Sequence, residues 1–200
     1  TDAGVHARGQ IIHFDIEKKF CTDRLLLGIN FFLLKEKNGK DISVKKVTKV
    51  SLNFNARFSA KKKTYVYNIL NATTSDPFIN DRAWWVSKKI DLSKMSRAAK
   101  YLIGKHDFTS FRAKGCQASS PIKTLDKVII SRKRNTIIIQ FTARSFLYNQ
   151  VRIMVGTLKE VGEGKIKPVE IKKILKNKNR SYAGATAPPK GLTLLKVTYK

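Results

Sequence analysis

Lys63-Thr64-Tyr65-Val66-Tyr67-Asn68-Ile69-Leu70 alternates cleanly, with Tyr65, Tyr67 and Ile69 on one side and Thr64, Val66, Asn68 and Leu70 on the other. A period of two marks a strand. Working outward toward the C-terminus, residues 128–131 and 136–142 predict a hairpin across the basic turn Arg132-Lys133-Arg134-Asn135. A long helix is expected over 145–161, where Leu147, Val151, Met154, Leu158 and Val161 step by fours and threes. Pro168 suits the opening of a short helix reaching about residue 176, and the chain closes with a strand over 192–199.

Toward the N-terminus, residues 71–80 form a loop around Pro77 and residues 83–86 begin a strand. Asp91 caps a helix that carries Leu92, Met95, Ala99 and Leu102 on one face until Gly104 stops it. Thr22 or Asp23 is expected to N-cap another that runs through about Leu33, with Leu26, Ile29 and Leu33 on one face, before a lysine- and glycine-rich loop at 35–40. Ile42, Val44, Val47 and Val50 suggest a strand of irregular spacing, and residues 9–14 a further strand. Strands, helices and a hairpin in this mixture predict an α+β fold with helices packed on an antiparallel sheet.

The composition fits a packed core, with 42% hydrophobic residues among 200. Forty-one basic against fourteen acidic side chains give a formal charge of +27, which points to a polyanionic partner such as RNA. Many of the lysines also fit a composition bias that fills the sequence with Lys, Asn and Ile. Cys21 and Cys116 lack C-x-x-C spacing, which fits a reducing cytosol and excludes a cysteine-rich zinc site. No apolar run approaches the roughly 20 residues that span a bilayer. His6 and His13 have no acidic pattern beside them that would suit zinc.

The N-terminal stretch Thr1-Asp2-Ala3-Gly4-Val5-His6-Ala7 places an acid in a tight glycine turn. An Asp in such a turn is usually a cap, but this heptad resembles the signature of the tRNA pseudouridine synthases of the TruA family. Four further stretches resemble that family in its own order: Asn55 to Ala60 followed by Lys63 to Tyr67, His106 to Ala113, Ser145 to Leu158, and Ala187 to Leu192. The resemblance implies two ferredoxin-like halves with a joined antiparallel sheet. Residues 1–54 would be the remnant of an incomplete first half and residues 55–200 the second half. The family's arginine before the threonine and its preceding segment are missing from the sequence, so an N-terminally truncated chain is expected. The implied activity is isomerisation of uridine to pseudouridine at positions 38–40 of the tRNA anticodon stem-loop, by a cytoplasmic homodimer.

That reaction breaks the C1′–N1 bond, turns the base and joins C1′ to C5, so it requires neither a cofactor nor a metal. It needs a carboxylate, a group that moves a proton, and a pocket for a flipped base. The resemblance gives Asp2 as the nucleophile and Tyr65 as the residue that stacks on the uracil, its phenol available for proton transfer. Arg152 lies one residue off the apolar stripe of the long helix, where a surface arginine contacting phosphate or solvent is the common role. Its match to the family's Val-Arg-x-x-x-Gly pattern implies instead that it pairs with Asp2 and holds it ionised. Tyr67 is expected to pack in the core with its hydroxyl at the rim. Arg57 with Lys61, Lys62 and Lys63, and the trio Arg132, Lys133 and Arg134, are candidates for phosphate contacts, although a solvated face is the common role of such clusters. Phe108 and Phe111 read as wall and core, and Asp107 as a turn or cap residue.

Two other classes compete. A non-catalytic RNA-binding protein would account for the charge but has no need for Asp2, Tyr65 and Arg152 together. A hydrolase using Thr1 as an N-terminal nucleophile is suggested by position alone.

Overall fold

Strand β2, Lys62–Leu70, lies inside the sheet and organises it, as its alternation predicts. The computed structural model describes residues 1–199. Its other strands are β1 (His6–Ala7), β3 (Trp84–Trp85), β4 (Gly104–Asp107), β5 (Ile122–Lys133), β6 (Thr136–Ala143) and β7 (Leu192–Thr198). They form one sheet in the order β1-β7-β2-β6-β5-β4, with β3 also paired to β2. Its pairings are antiparallel except for the two-residue strands, β1 on β7 and β3 on β2, which run parallel. The α+β class is therefore met, with a mixed rather than purely antiparallel sheet.

The helices are α1 (Thr22–Lys35), α2 (Leu92–Lys100), α3 (Gln150–Gly162) and α4 (Glu170–Asn177). By their contacts the residues group into two compact units, 1–11 with 60–199 and 12–59. The N-terminal turn groups with the larger unit, because β1 pairs with β7.

In the larger unit, Tyr67 and Ile69 of β2, Ile137, Ile139 and Phe141 of β6 and Leu192 of β7 share one core with Met95, Ile153, Met154, Leu158 and Ile171 of the helices. Phe108 and Phe111 are fully buried in it, as expected. Helix α3 is buried over most of its surface. A Cβ on its Gly156 would overlap the Ala185 carbonyl oxygen, so the segment after α4 lies directly on the helix backbone.

Several boundaries differ from the expectations. Helix α3 begins at Gln150 rather than near 145, because Asn149 adopts left-handed backbone angles (φ 58°) and the Gln150 side chain reaches back to accept the Leu147 amide at 2.8 Å. Residues 9–14 form no strand. The amides of Arg8 and Gly9 both donate to the Leu194 carbonyl oxygen, at 2.8 and 3.3 Å, which ends the ladder. Helix α2 keeps its expected Asp91 cap but stops at Lys100, and Gly104 (φ +111°) opens the unforeseen β4.

In the smaller unit, α1 runs past its expected end to Lys35, with Cys21 at its N-cap. Residues 42–50 form no strand, since the Asn30 side chain takes both polar backbone groups of Val44, accepting from its amide at 2.8 Å and donating to its carbonyl at 2.9 Å.

Candidate active site

Asp2 sits in a turn closed by the Val5 amide on the Asp2 carbonyl oxygen, at 3.1 Å. Gly4 takes φ +75° there, and a Cβ on it would come within 3.0 Å of Pro189. The turn runs straight into β1, where His6 lies opposite Thr193 and Ala7 opposite Leu194. Sequence order thus carries one half-buried carboxylate from the chain start onto the edge of the sheet.

Tyr65 lies on the core-facing side of β2, near its start, where burial is incomplete. Its ring meets Phe146 edge to face, with centroids 5.3 Å apart. The pairing of β2 with β7 shifts register between Thr64 and Tyr65, a bulge that re-aims the side chains beside it. Burial pushes the Tyr65 phenol above its usual range, and the negative charge of Asp2 pushes it further. Asp2 therefore lies within electrostatic reach of the Tyr65 phenol.

Tyr67 is fully buried, as expected for a core tyrosine, and its hydroxyl donates to the Pro188 carbonyl oxygen at 2.7 Å. Burial raises its phenol strongly, while the Arg152 guanidinium acts in the opposite direction. A Cβ on Gly191 would stand 2.6 Å from the Tyr67 ring, so only glycine lets the chain pass there.

Arg152 does not meet the expected partner. Among the described residues no ion pair joins it to Asp2; its Nε donates to the Ala187 carbonyl oxygen at 2.7 Å and one terminal nitrogen donates to Asn149 Oδ1 at 2.8 Å. The guanidinium is occupied in holding residues 187–191, a strap that lies on Tyr67 and against Gly4. Arg152 and Asp2 are therefore linked through this strap. Tyr67, Phe146, Asn149 and Pro188 escaped the sequence reading as site residues, although the stretches around 145–158 and 187–192 pointed to their segments.

The basic clusters separate. Lys61 and Lys62 are exposed and Lys63 half-buried at the β2 end that carries Tyr65. Arg132, Lys133 and Arg134 lie by the β5–β6 turn, where Thr136 of β6 pairs with Leu70 at the far end of β2, roughly 23 Å from Lys63 at ~3.3 Å per strand residue. Arg132 there donates to Asn71 Oδ1 at 2.9 Å. Arg57 belongs to the smaller unit, its guanidinium over the Phe58 ring. Asp107 is a turn residue, accepting from the Thr109 amide and hydroxyl at 2.9 and 2.6 Å. His6 bonds the Asp81 carbonyl oxygen at 2.7 Å, and His13 accepts the Ala56 amide at 3.4 Å.

The site comprises a carboxylate in a glycine turn, a tyrosine coupled to it, and an arginine-held strap behind both. Residues 98–200 match the family model described as tRNA pseudouridine synthase, which makes the chain an isomerase by class. It is 48% identical over 199 residues to the tRNA pseudouridine synthase A of Ehrlichia canis (strain Jake), covering all of this chain and 80% of that protein. Its identity to the tRNA pseudouridine synthase A of Wolbachia pipientis wMel is 47%, with the same coverage. With that of Mesorhizobium japonicum it is 43%, covering all of this chain and 79% of the relative. The chain belongs to the tRNA pseudouridine synthase A family.

Proposed function

We propose that the chain isomerises uridine to pseudouridine at positions 38–40 of the tRNA anticodon stem-loop, with Asp2 as nucleophile toward a flipped base. The observation that carries this reading is the seating of the Asp2 turn against the strap that Tyr67 holds: Pro189 abuts Gly4, and the Tyr67 hydroxyl donates to the Pro188 carbonyl oxygen. An Asp2 carboxylate oxygen attacks C1′, and the C1′–N1 bond breaks with its electron pair leaving on N1. The detached uracil turns, its C5 bonds to C1′, and the C1′–oxygen bond breaks to restore the carboxylate. Loss of the C5 proton and protonation of N1 complete an exchange with no net gain or loss of atoms.

The raised Tyr65 phenol keeps its proton at neutral pH, which suits a stacking surface and hydrogen-bond donor better than a base. Arg152 acts as a positioning residue through the strap. Residues 1–54 carry the nucleophile's half and residues 55–200 the second half of the site. Lys61, Lys62 and Lys63 contact phosphates near the site, the trio Arg132, Lys133 and Arg134 contacts more distant ones, and Arg57 is a further phosphate contact. The working form is a cytoplasmic homodimer.

Tritium release from C5-labelled uridine in tRNA, read beside filter binding, tests the mechanism. Asp2→Asn should abolish release and leave tRNA binding nearly intact, since one carboxylate contributes little to holding a polyanion. Wild-type turnover by that variant would sink the proposed chemistry.

A further inference from the structure

Phe78 stands almost wholly in solvent, at 95% exposure, on a loop that is firmly built. Asp76 Oδ1 accepts the Phe78 amide at 3.0 Å, the Ile79 amide donates to the Asp76 carbonyl oxygen at 3.2 Å, and the Arg82 amide to that of Ile79 at 2.9 Å. The loop is fastened to the site at two points. His6, two residues beyond Gly4, holds the Asp81 carbonyl oxygen at 2.7 Å. Lys190, next to the Pro189 that abuts Gly4, donates to Asn80 Oδ1 at 3.2 Å. An aromatic ring is thus presented to solvent beside the turn that carries Asp2.

We propose that Phe78 is a stacking platform for an unpaired base of the RNA substrate, flanking the uridine in the active site. The inference rests on the pseudouridine synthase reading of that site. An exposed ring on an anchored loop loses little further freedom on binding, and a base offers the flat face it fits. The exposed Arg82 and the half-buried Lys190 in the same cluster supply positive charge for the adjoining phosphates, on a chain of formal charge +27. A protein partner is the poorer fit, because the loop that carries the ring is polar, with Asp76, Asn80, Asp81 and Arg82 close by in sequence, and offers no long apolar run.

The test uses the full chain, an unmodified tRNA transcript, filter binding and tritium release. Phe78→Ala should weaken binding about 5- to 150-fold, the range of one lost base–aromatic stack, with thermal stability unchanged because the ring is in water. Phe78→Leu should bind as weakly as the alanine variant. Phe78→Trp should restore affinity, with indole emission quenched by the transcript. Wild-type binding and turnover by Phe78→Ala would overturn the inference, as would full rescue by leucine. A change in sedimentation with tRNA affinity untouched would assign the ring to a protein contact and also overturn it. Failure of the wild-type chain to bind or convert the transcript would overturn the synthase reading together with this one.

Discussion

Arg152 and Ala187 are joined twice: the guanidinium Nε donates to the Ala187 carbonyl oxygen at 2.7 Å, and the Ala187 amide donates back to the Arg152 carbonyl oxygen at 3.1 Å. The side-chain half of this clasp is charge-assisted and shares the guanidinium with Asn149. Arg152→Ala should therefore destabilise the fold by about 2–3 kcal/mol and lower kcat more than it raises KM. Arg152→Lys keeps the charge, but an ammonium lacks the planar fork that serves both acceptors. Its stability should fall between the two in urea denaturation. Full recovery of kcat and stability by lysine would mean that charge alone matters at this position.

The Tyr67 hydroxyl holds the next residue of the strap, donating to the Pro188 carbonyl oxygen at 2.7 Å. Tyr67→Phe keeps the buried ring and leaves that carbonyl without its donor, at a cost of about 1–3 kcal/mol. Because Pro189 abuts Gly4, loosening the strap should also reduce turnover while tRNA affinity stays near wild type. Denaturation midpoints and tritium release measure the two effects. Unchanged turnover in a measurably destabilised variant would separate the strap from catalysis.

How legible this was depends on which chemical groups make the contacts. The alternation of β2, the Asp91 cap and the hairpin could be read because each depends on side-chain type at fixed spacing. The start of α3 could not, since apolar spacing continues back through Leu147 while the left-handed Asn149 breaks the helix. Val44 has strand character, yet its backbone is taken by Asn30, a pairing with no local signal. In the site, Asp2 and Tyr65 emerged from the motifs. In place of the expected Asp2–Arg152 pair, the guanidinium is taken by the Ala187 backbone carbonyl, a group every residue carries, and by the Asn149 side chain one helical turn back.

The lysine cluster by the site and the arginine-rich hairpin turn lie at opposite ends of β2, so they should differ in their effect on RNA binding. Changing Lys61, Lys62 and Lys63 together to Ala should flatten the slope of log K against log[salt] by about 2–3, at roughly 0.7–0.9 per phosphate. The same change at Arg132, Lys133 and Arg134 should alter it less, since Arg132 is already engaged with Asn71. Filter binding across a salt series distinguishes them. An unchanged slope for the lysine variant would leave that cluster a solvated face.

The coupling of Asp2 to Tyr65 has a signature that needs no substrate. Burial and then the Asp2 charge raise the Tyr65 phenol above the ordinary tyrosine value of about 10. A raised folded value means that the folded state keeps a proton the unfolded chain has lost. The stability linked to Tyr65 is therefore fully present below about pH 10 and is lost as pH rises through the raised value. Asp2→Asn removes the charge and leaves the burial, so Tyr65 should titrate lower than in the wild type, and the alkaline loss of stability should shrink. Carbon NMR of labelled tyrosine rings, assigned through Tyr65→Phe, follows this phenol separately from Tyr67, whose raised ionisation is set by burial and opposed by Arg152. A Tyr65 titration identical in wild type and Asp2→Asn would mean that the carboxylate and the phenol do not share a site, and the nucleophile would have to be sought elsewhere.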